Sequence, residues 1–169
     1  KTVVAMYYNN KGADALVNER LNEAYAYFRA ALITDDEFDS TAINLGLLYR
    51  LKGYLQQAED SYNYALNLNP NNLTAWENMA YLYHLGEQKL EADLYHEALS
   101  YFKQALSLDR ESHEVYFGLA QVYFELGELD LTQHYLELAR DYSFSLSDEK
   151  RYKSKLSFLS SLHHTASLN

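Results

Sequence analysis

Small and apolar residues recur along the chain at three- and four-residue spacing. Ala42, Leu45, Gly46 and Tyr49 fall on one helical face, and Leu55, Ala58, Tyr62, Ala65 and Leu66 on another. Between them, Lys52-Gly53 predicts a helix ended by a C-cap glycine, and Asn69-Pro70 stops the second helix. The unit is therefore a helix, a tight turn and a helix, and it repeats. Gly12 and Gly46 are 34 positions apart, with Ala80 34 further on. Ala24 and Ala58, Phe28 and Tyr62, Ala31 and Ala65, and Tyr8, Ala42 and Trp76 keep the same step. The step then lengthens once to 40, from Trp76 to Tyr116 and from Ala58 to Ala98, before 34 returns from Ala98 to Thr132. Helix pairs are expected near residues 5–38, 39–72, 73–112 and 113–146, the third with six extra residues. The extra residues lie within 86–97, where the spacing of Leu90, Leu94 and Ala98 favours a lengthened second helix over an enlarged loop.

The small residues have a physical reason. Gly46, Ala58 and Ala65 stand where two helices cross closely, and Tyr49 and Tyr62 fill the space beside them. One pair cannot bury both of its apolar faces, whereas stacked pairs can. A last helix is expected near 147–163. Its Tyr152, Leu156, Leu159 and Leu162 face inwards, and Lys150, Arg151, Lys153 and Lys155 face out. This is the pattern of a solenoid cap with a solvated basic face. Binding of an acidic partner there is the second reading.

The order Ala42-x2-Leu45-Gly46-x2-Tyr49, Ala58-x3-Tyr62-x2-Ala65-Leu66 and Pro70 resembles the tetratricopeptide repeat (TPR) family. So do Trp76-x2-Met79-Ala80-x2-Tyr83 with Ala98-x3-Phe102-x2-Ala105-Leu106, and Tyr116-x2-Leu119-Ala120-x2-Tyr123 with Thr132, Leu136 and Ala139. The first unit, Tyr8-x2-Lys11-Gly12 with Ala24-x3-Phe28-x2-Ala31-Leu32, departs from the pattern with Ala15 where an aromatic belongs. The resemblance implies an all-α fold, a right-handed alpha-alpha superhelix (TPR solenoid) of about four helix pairs plus a C-terminal capping helix, with 1–169 a single domain. A looser resemblance, through Tyr7-Tyr8-Asn9-Asn10-Lys11-Gly12 and Ser112-His113-Glu114-Val115-Tyr116, is to the TPR regions that follow a transglutaminase-like domain in some bacterial proteins. It implies kinship with a larger protein, and a start at Lys1 rather than Met suggests a piece of something longer or a processed form.

Composition narrows the function. A net charge of −10 argues against nucleic acid or an anionic membrane as the main partner. No Cys is present, which removes disulfides, thiolate nucleophiles and Cys-type zinc sites. No apolar run reaches the length of a membrane span, so no membrane insertion is expected. A soluble cytoplasmic or periplasmic protein fits. His84, His96, His113, His134, His163 and His164 show no metal-ligand spacing, and no carboxylate pair or glycine-rich loop points to catalysis. The expectation is a non-catalytic protein with no metal and no cofactor.

The resemblance places the first helix of each pair along a concave groove. The stripe left free by the core then reads Met6, Asn9, Asn10, Ala13 and Val17; Ile43, Asn44, Leu47, Arg50 and Leu51; Glu77, Asn78, Tyr81, His84 and Leu85; and Glu114, Phe117, Gly118, Gln121, Phe124 and Glu125. The groove residues singled out are Asn10, Asn44, Leu47, Arg50, Asn78, Tyr81, His84, Phe117, Gln121 and Phe124. Asn10, Asn44 and Asn78 repeat at 34 until Gly118 interrupts. A primary amide matches a peptide bond's donor and acceptor, so such a column suits an extended backbone. It resembles asparagine ladders of other TPR superhelices. The competing reading is that each amide bonds a neighbouring backbone group or water. A carboxylate clamp for acidic chaperone tails needs several basic groove residues. Here Arg50 and Lys11 are opposed by Glu77, Glu114 and Glu125, so a neutral or basic peptide partner is favoured. Self-association through Tyr-rich faces into a homo-oligomer, or service as a rigid spacer in a larger protein, is the alternative.

Overall fold

The computed structural model describes residues 1–85 and 92–166, with side chains for residues 1–84 and 94–162. Among the described residues the regular structure is helical: α1 Thr2–Val17, α2 Leu21–Thr34, α3 Asp39–Leu51, α4 Leu55–Leu68, α5 Leu73–Leu85, α6 Ala92–Leu108, α7 His113–Glu125, α8 Leu129–Asp141 and α9 Leu146–Ala166. The chain forms two compact units, Lys1–Gly86 and Glu87–Asn169. In the first, α1 packs on α2, α2 on α3, α3 on α4 and α4 on α5. In the second, α6 packs on α7, α7 on α8 and α8 on α9. Of the stretch 86–97 expected to hold the insertion, residues 86–91 lie outside the described residues and 92–97 belong to α6.

The turns inside the pairs share one mechanism. Gly53 at φ 78° and Gly127 at φ 74° are left-handed, the conformation a glycine reaches without a Cβ penalty. The next residue then bonds back over a full turn, Tyr54 N–H to the Tyr49 carbonyl and Glu128 N–H to the Tyr123 carbonyl, both at 2.9 Å. Position 19 occupies the same place in the first pair, and Glu19 adopts φ 57° there without being glycine. Arg20 N–H still reaches the Ala15 carbonyl at 2.8 Å. Sequence reading does not find this turn, because its usual glycine is absent.

In each unit the core sets aromatic rings against small residues. A Cβ built on Gly12 would lie 2.4 Å from Phe28 Cε1, and one on Gly46 2.4 Å from Tyr62 Cε1. The rings of Phe28, Tyr62 and Phe102 are fully buried. Each such burial stabilises by about 1.5–3 kcal/mol. Gly118 differs from the expectation that put it on the groove stripe. Its missing Cβ would lie 2.3 Å from Phe102 Cε1, so it admits the ring from the helix before it. Residues 41 and 48, 75 and 82, and 115 and 122 occupy matching places on α3, α5 and α7, and all are buried. On α1 the matching residues Tyr7 and Asp14 are exposed.

α9 begins with a cap: Ser145 Oγ accepts from Asp148 N–H at 3.0 Å and donates to Asp148 Oδ2 at 2.6 Å. Tyr152 and Leu159 are buried, Leu156 and Leu162 half-buried, and the basic residues of 150–155 exposed. None of the helices among the described residues is long and apolar enough to cross a membrane.

Candidate interaction surface

In the first unit, successive first helices meet through a polar pair. Asn44 Nδ2 on α3 donates to Asn9 Oδ1 on α1 at 3.0 Å. Asn9 is only 6% exposed, which corrects its placement on the open stripe. Ile43, on the same stripe by sequence, is buried as well. A buried amide needs a partner, and Asn44 is that partner. Asn78 behaves differently, its Nδ2 donating to the Thr74 carbonyl of its own helix at 2.9 Å. Asn10 is exposed on α1. The three asparagines of the 34-residue column therefore have three different environments.

This difference is measurable by urea unfolding. Asn44→Ala leaves Asn9 Oδ1 buried without its donor and is expected to cost about 1 kcal/mol or more. Asn78→Ala removes a bond to a carbonyl already served by its helix, and its effect is expected to stay within about 0.5 kcal/mol.

Leu47, Arg50, Tyr81 and His84 are half-buried along the same side of α3 and α5. Arg50 Nε and the Tyr62 hydroxyl are both buried, with Arg50 close enough to act on that hydroxyl. Burial pushes the Tyr62 phenol up, and the positive charge of nearby Arg50 pulls the other way. Nothing in the sequence pattern pairs Tyr62 with Arg50, because the ring column reads as core.

In the second unit, Phe117 and Gln121 are half-buried and Phe124 is 40% exposed. Phe117 is not open groove. Tyr152 of α9 packs against it with ring centroids 5.3 Å apart, and the Arg151 guanidinium lies 4.7 Å from its centroid. Beneath, Tyr123, Tyr135, Tyr116 and Tyr142 form a continuous stack. Their neighbouring centroids are 5.4, 6.3 and 5.5 Å apart. These tyrosines tie α7 to α8, so in this unit much of the Tyr content is internal structure.

Two family models described as tetratricopeptide repeat match the chain, one over residues 41–72 and one over residues 89–142. The photosystem I assembly protein Ycf3 of Cyanophora paradoxa is 30% identical over 124 residues, covering 67% of this chain and 72% of that protein. The protein O-mannosyl-transferase TMTC3 of Mus musculus is 30% identical over 168 residues, of which this chain spans 18% of the length. Among solved structures, Pseudomonas aeruginosa pilF superposes with TM-score 0.83 at 16% identity, over 96% of this chain and 70% of that one. The first TPR of Spaghetti (RPAP3), bound to the HSP90 peptide SRMEEVD, superposes with TM-score 0.66 at 17% identity, over 75% and 96%. The fold class is the all-α helix-pair solenoid of these neighbours.

Proposed function

On the premise that this chain belongs to the tetratricopeptide repeat family, we propose that it is a non-catalytic protein-interaction module. It holds an extended peptide or partner segment along its first helices. The reading takes 1–169 as one domain with repeats near 5–38, 39–72, 73–112 and 113–146 and a cap near 147–163. The observation that carries it is the face of α3 and α5, where half-buried Leu47 and Tyr81 stand beside Arg50, His84 and the Asn78 amide. Such a face buries apolar side chains and meets peptide groups at the same time. Glu77 on that face favours a neutral or basic segment. Two similar proteins support partner binding as such, one named for assembly and one solved with a peptide.

The test is a binder selected from a random peptide library on the native chain. Asn78→Ala with Tyr81→Ala is expected to weaken it by about tenfold or more. Asn63→Ala with Asn67→Ala, on the exposed side of α4, is expected to change it by less than about twofold. Circular dichroism checks that helicity is kept. The opposite ranking, or a library that yields no binder, removes the reading.

A second reading, self-association, has its own observation. Tyr7 on α1 is 57% exposed, while its counterparts Thr41, Ala75 and Val115 are fully buried. Sedimentation mass rising with concentration, and falling back in Tyr7→Glu, favours that reading.

A further inference from the structure

Arg151 and Lys155 stand one turn apart on α9 and converge on a single ring. The Arg151 guanidinium carbon is 4.7 Å, and Lys155 Nζ 5.7 Å, from the Phe117 centroid. The ring attracts each cation, but like charges at this helical spacing repel each other. Arg151 is relieved in part, by an ion pair with Asp148 and by the Glu114 carboxylate near the Tyr152 hydroxyl. Asp148 Oδ1 lies 3.5 Å from Arg151 Nη2, longer than a charge-assisted hydrogen bond. Lys155 has no ion-pair partner among the described residues.

The guanidinium is held from the buried side. Arg151 Nη2 donates to the Tyr152 hydroxyl oxygen at 2.7 Å, and that hydroxyl lies 2.8 Å from His113 Nδ1. Tyr152 is fully buried. The Tyr152 hydroxyl thus links the Arg151 guanidinium to the His113 ring. The Arg151 side chain as a whole is 46% exposed, so a partner can reach the guanidinium.

We propose that Arg151 and Lys155, positioned over Phe117, form a carboxylate-binding point that docks an Asp- or Glu-rich segment of a partner protein. A carboxylate between the two cations replaces their repulsion with two attractions, and the guanidinium fork matches its two oxygens. The Phe117 ring holds both cations in place for the carboxylate. The chain carries −10 overall, so an acidic segment is repelled broadly and drawn to this point. The site lies on α9 and prefers acid. It thus goes beyond the peptide face of α3 and α5 and does not rest on it.

The probe is a fluorescent hexaglutamate, acetylated and amidated, titrated onto the full chain at low salt. Saturable binding is expected, weakening as salt rises. Arg151→Gln with Lys155→Gln is expected to weaken it by about tenfold or more. Lys150→Gln with Lys153→Gln removes the same charge and is expected to change it by less than about twofold. Phe117→Leu falls between the two. Hexaglutamine with a free C-terminus is expected not to bind, which assigns the carboxylates to side chains.

Equal losses in the two double variants overturn the proposal, since they reduce it to bulk charge. So does absence of hexaglutamate binding by the native chain, or tighter binding of phosphatidylserine vesicles or oligothymidylate. Concentration-dependent mass lost in Arg151→Gln with Lys155→Gln identifies a second copy as the occupant and also overturns it. The library-selected peptide should bind this variant normally, so failure here leaves the α3–α5 face untouched.

Discussion

Gly46→Leu is expected to lower the urea midpoint of the first unit sharply while leaving the second unit's tyrosine stack folded. A Cβ alone at position 46 would lie 2.4 Å from Tyr62 Cε1 and 2.7 Å from Cδ1, inside van der Waals contact. The obstacle is the body of a fully buried ring, not the free end of a flexible chain. Overpacking a close crossing costs about 1–3 kcal/mol when neighbours shift slightly. Here α3 and α4 must separate, and the upper end of that range is expected. Gly46→Ala should already destabilise, although alanine is the better helix former by about 1 kcal/mol. Tyr62→Ala in the Gly46→Leu background should recover part of the loss. A double-mutant cycle then gives a coupling of opposite sign to that of two independent lesions. Strict additivity would show that the two positions do not meet. A midpoint for Gly46→Leu equal to that of the native chain would remove the close crossing altogether.

Phe28→Ala is expected to cost about 3–5 kcal/mol, the largest loss for a single truncation in the first unit. Its ring is fully buried and belongs to a cluster with Ala15, Ala24, Leu45 and Leu48. Leu16, Leu21, Tyr25, Leu32 and Tyr49 pack around that cluster. Gly12 has no side chain to swing into the gap, so the cavity stays open and its lining loses contacts. Phe144→Ala, at 87% exposure, is the matched control and is expected to change stability by less than about 0.5 kcal/mol. Chemical denaturation followed by circular dichroism reads both. Comparable losses at the two sites would mean that burial does not set the cost.

Much of this fold was legible in the residues. The 34-residue step located the helices because helical periodicity is local: side chains three and four apart share a face whatever surrounds them. Ala24, Phe28 and Ala31, and Ala58, Tyr62 and Ala65, read as core and are buried. Gly53 read as a helix end, since a left-handed turn selects glycine. Glu19 escaped for the same reason, because its conformation is imposed by the α1–α2 packing rather than by its own preference.

The interaction face was legible only as a stripe. Its sequence gave asparagines at equal spacing equal weight, yet Asn44 pairs with Asn9, Asn78 folds onto Thr74 and Asn10 meets solvent. Phe117 read as open groove and lies under Arg151 and Tyr152, which are more than thirty residues away along the chain. The sequence by itself determined the helices and the faces that must be buried, because these follow from spacing within a few turns. Only the tertiary structure decided which polar groups meet across the helices and which cations gather over one ring. Those outcomes depend on helix crossings and side-chain reach over a few ångströms, and neighbours along the chain do not encode them.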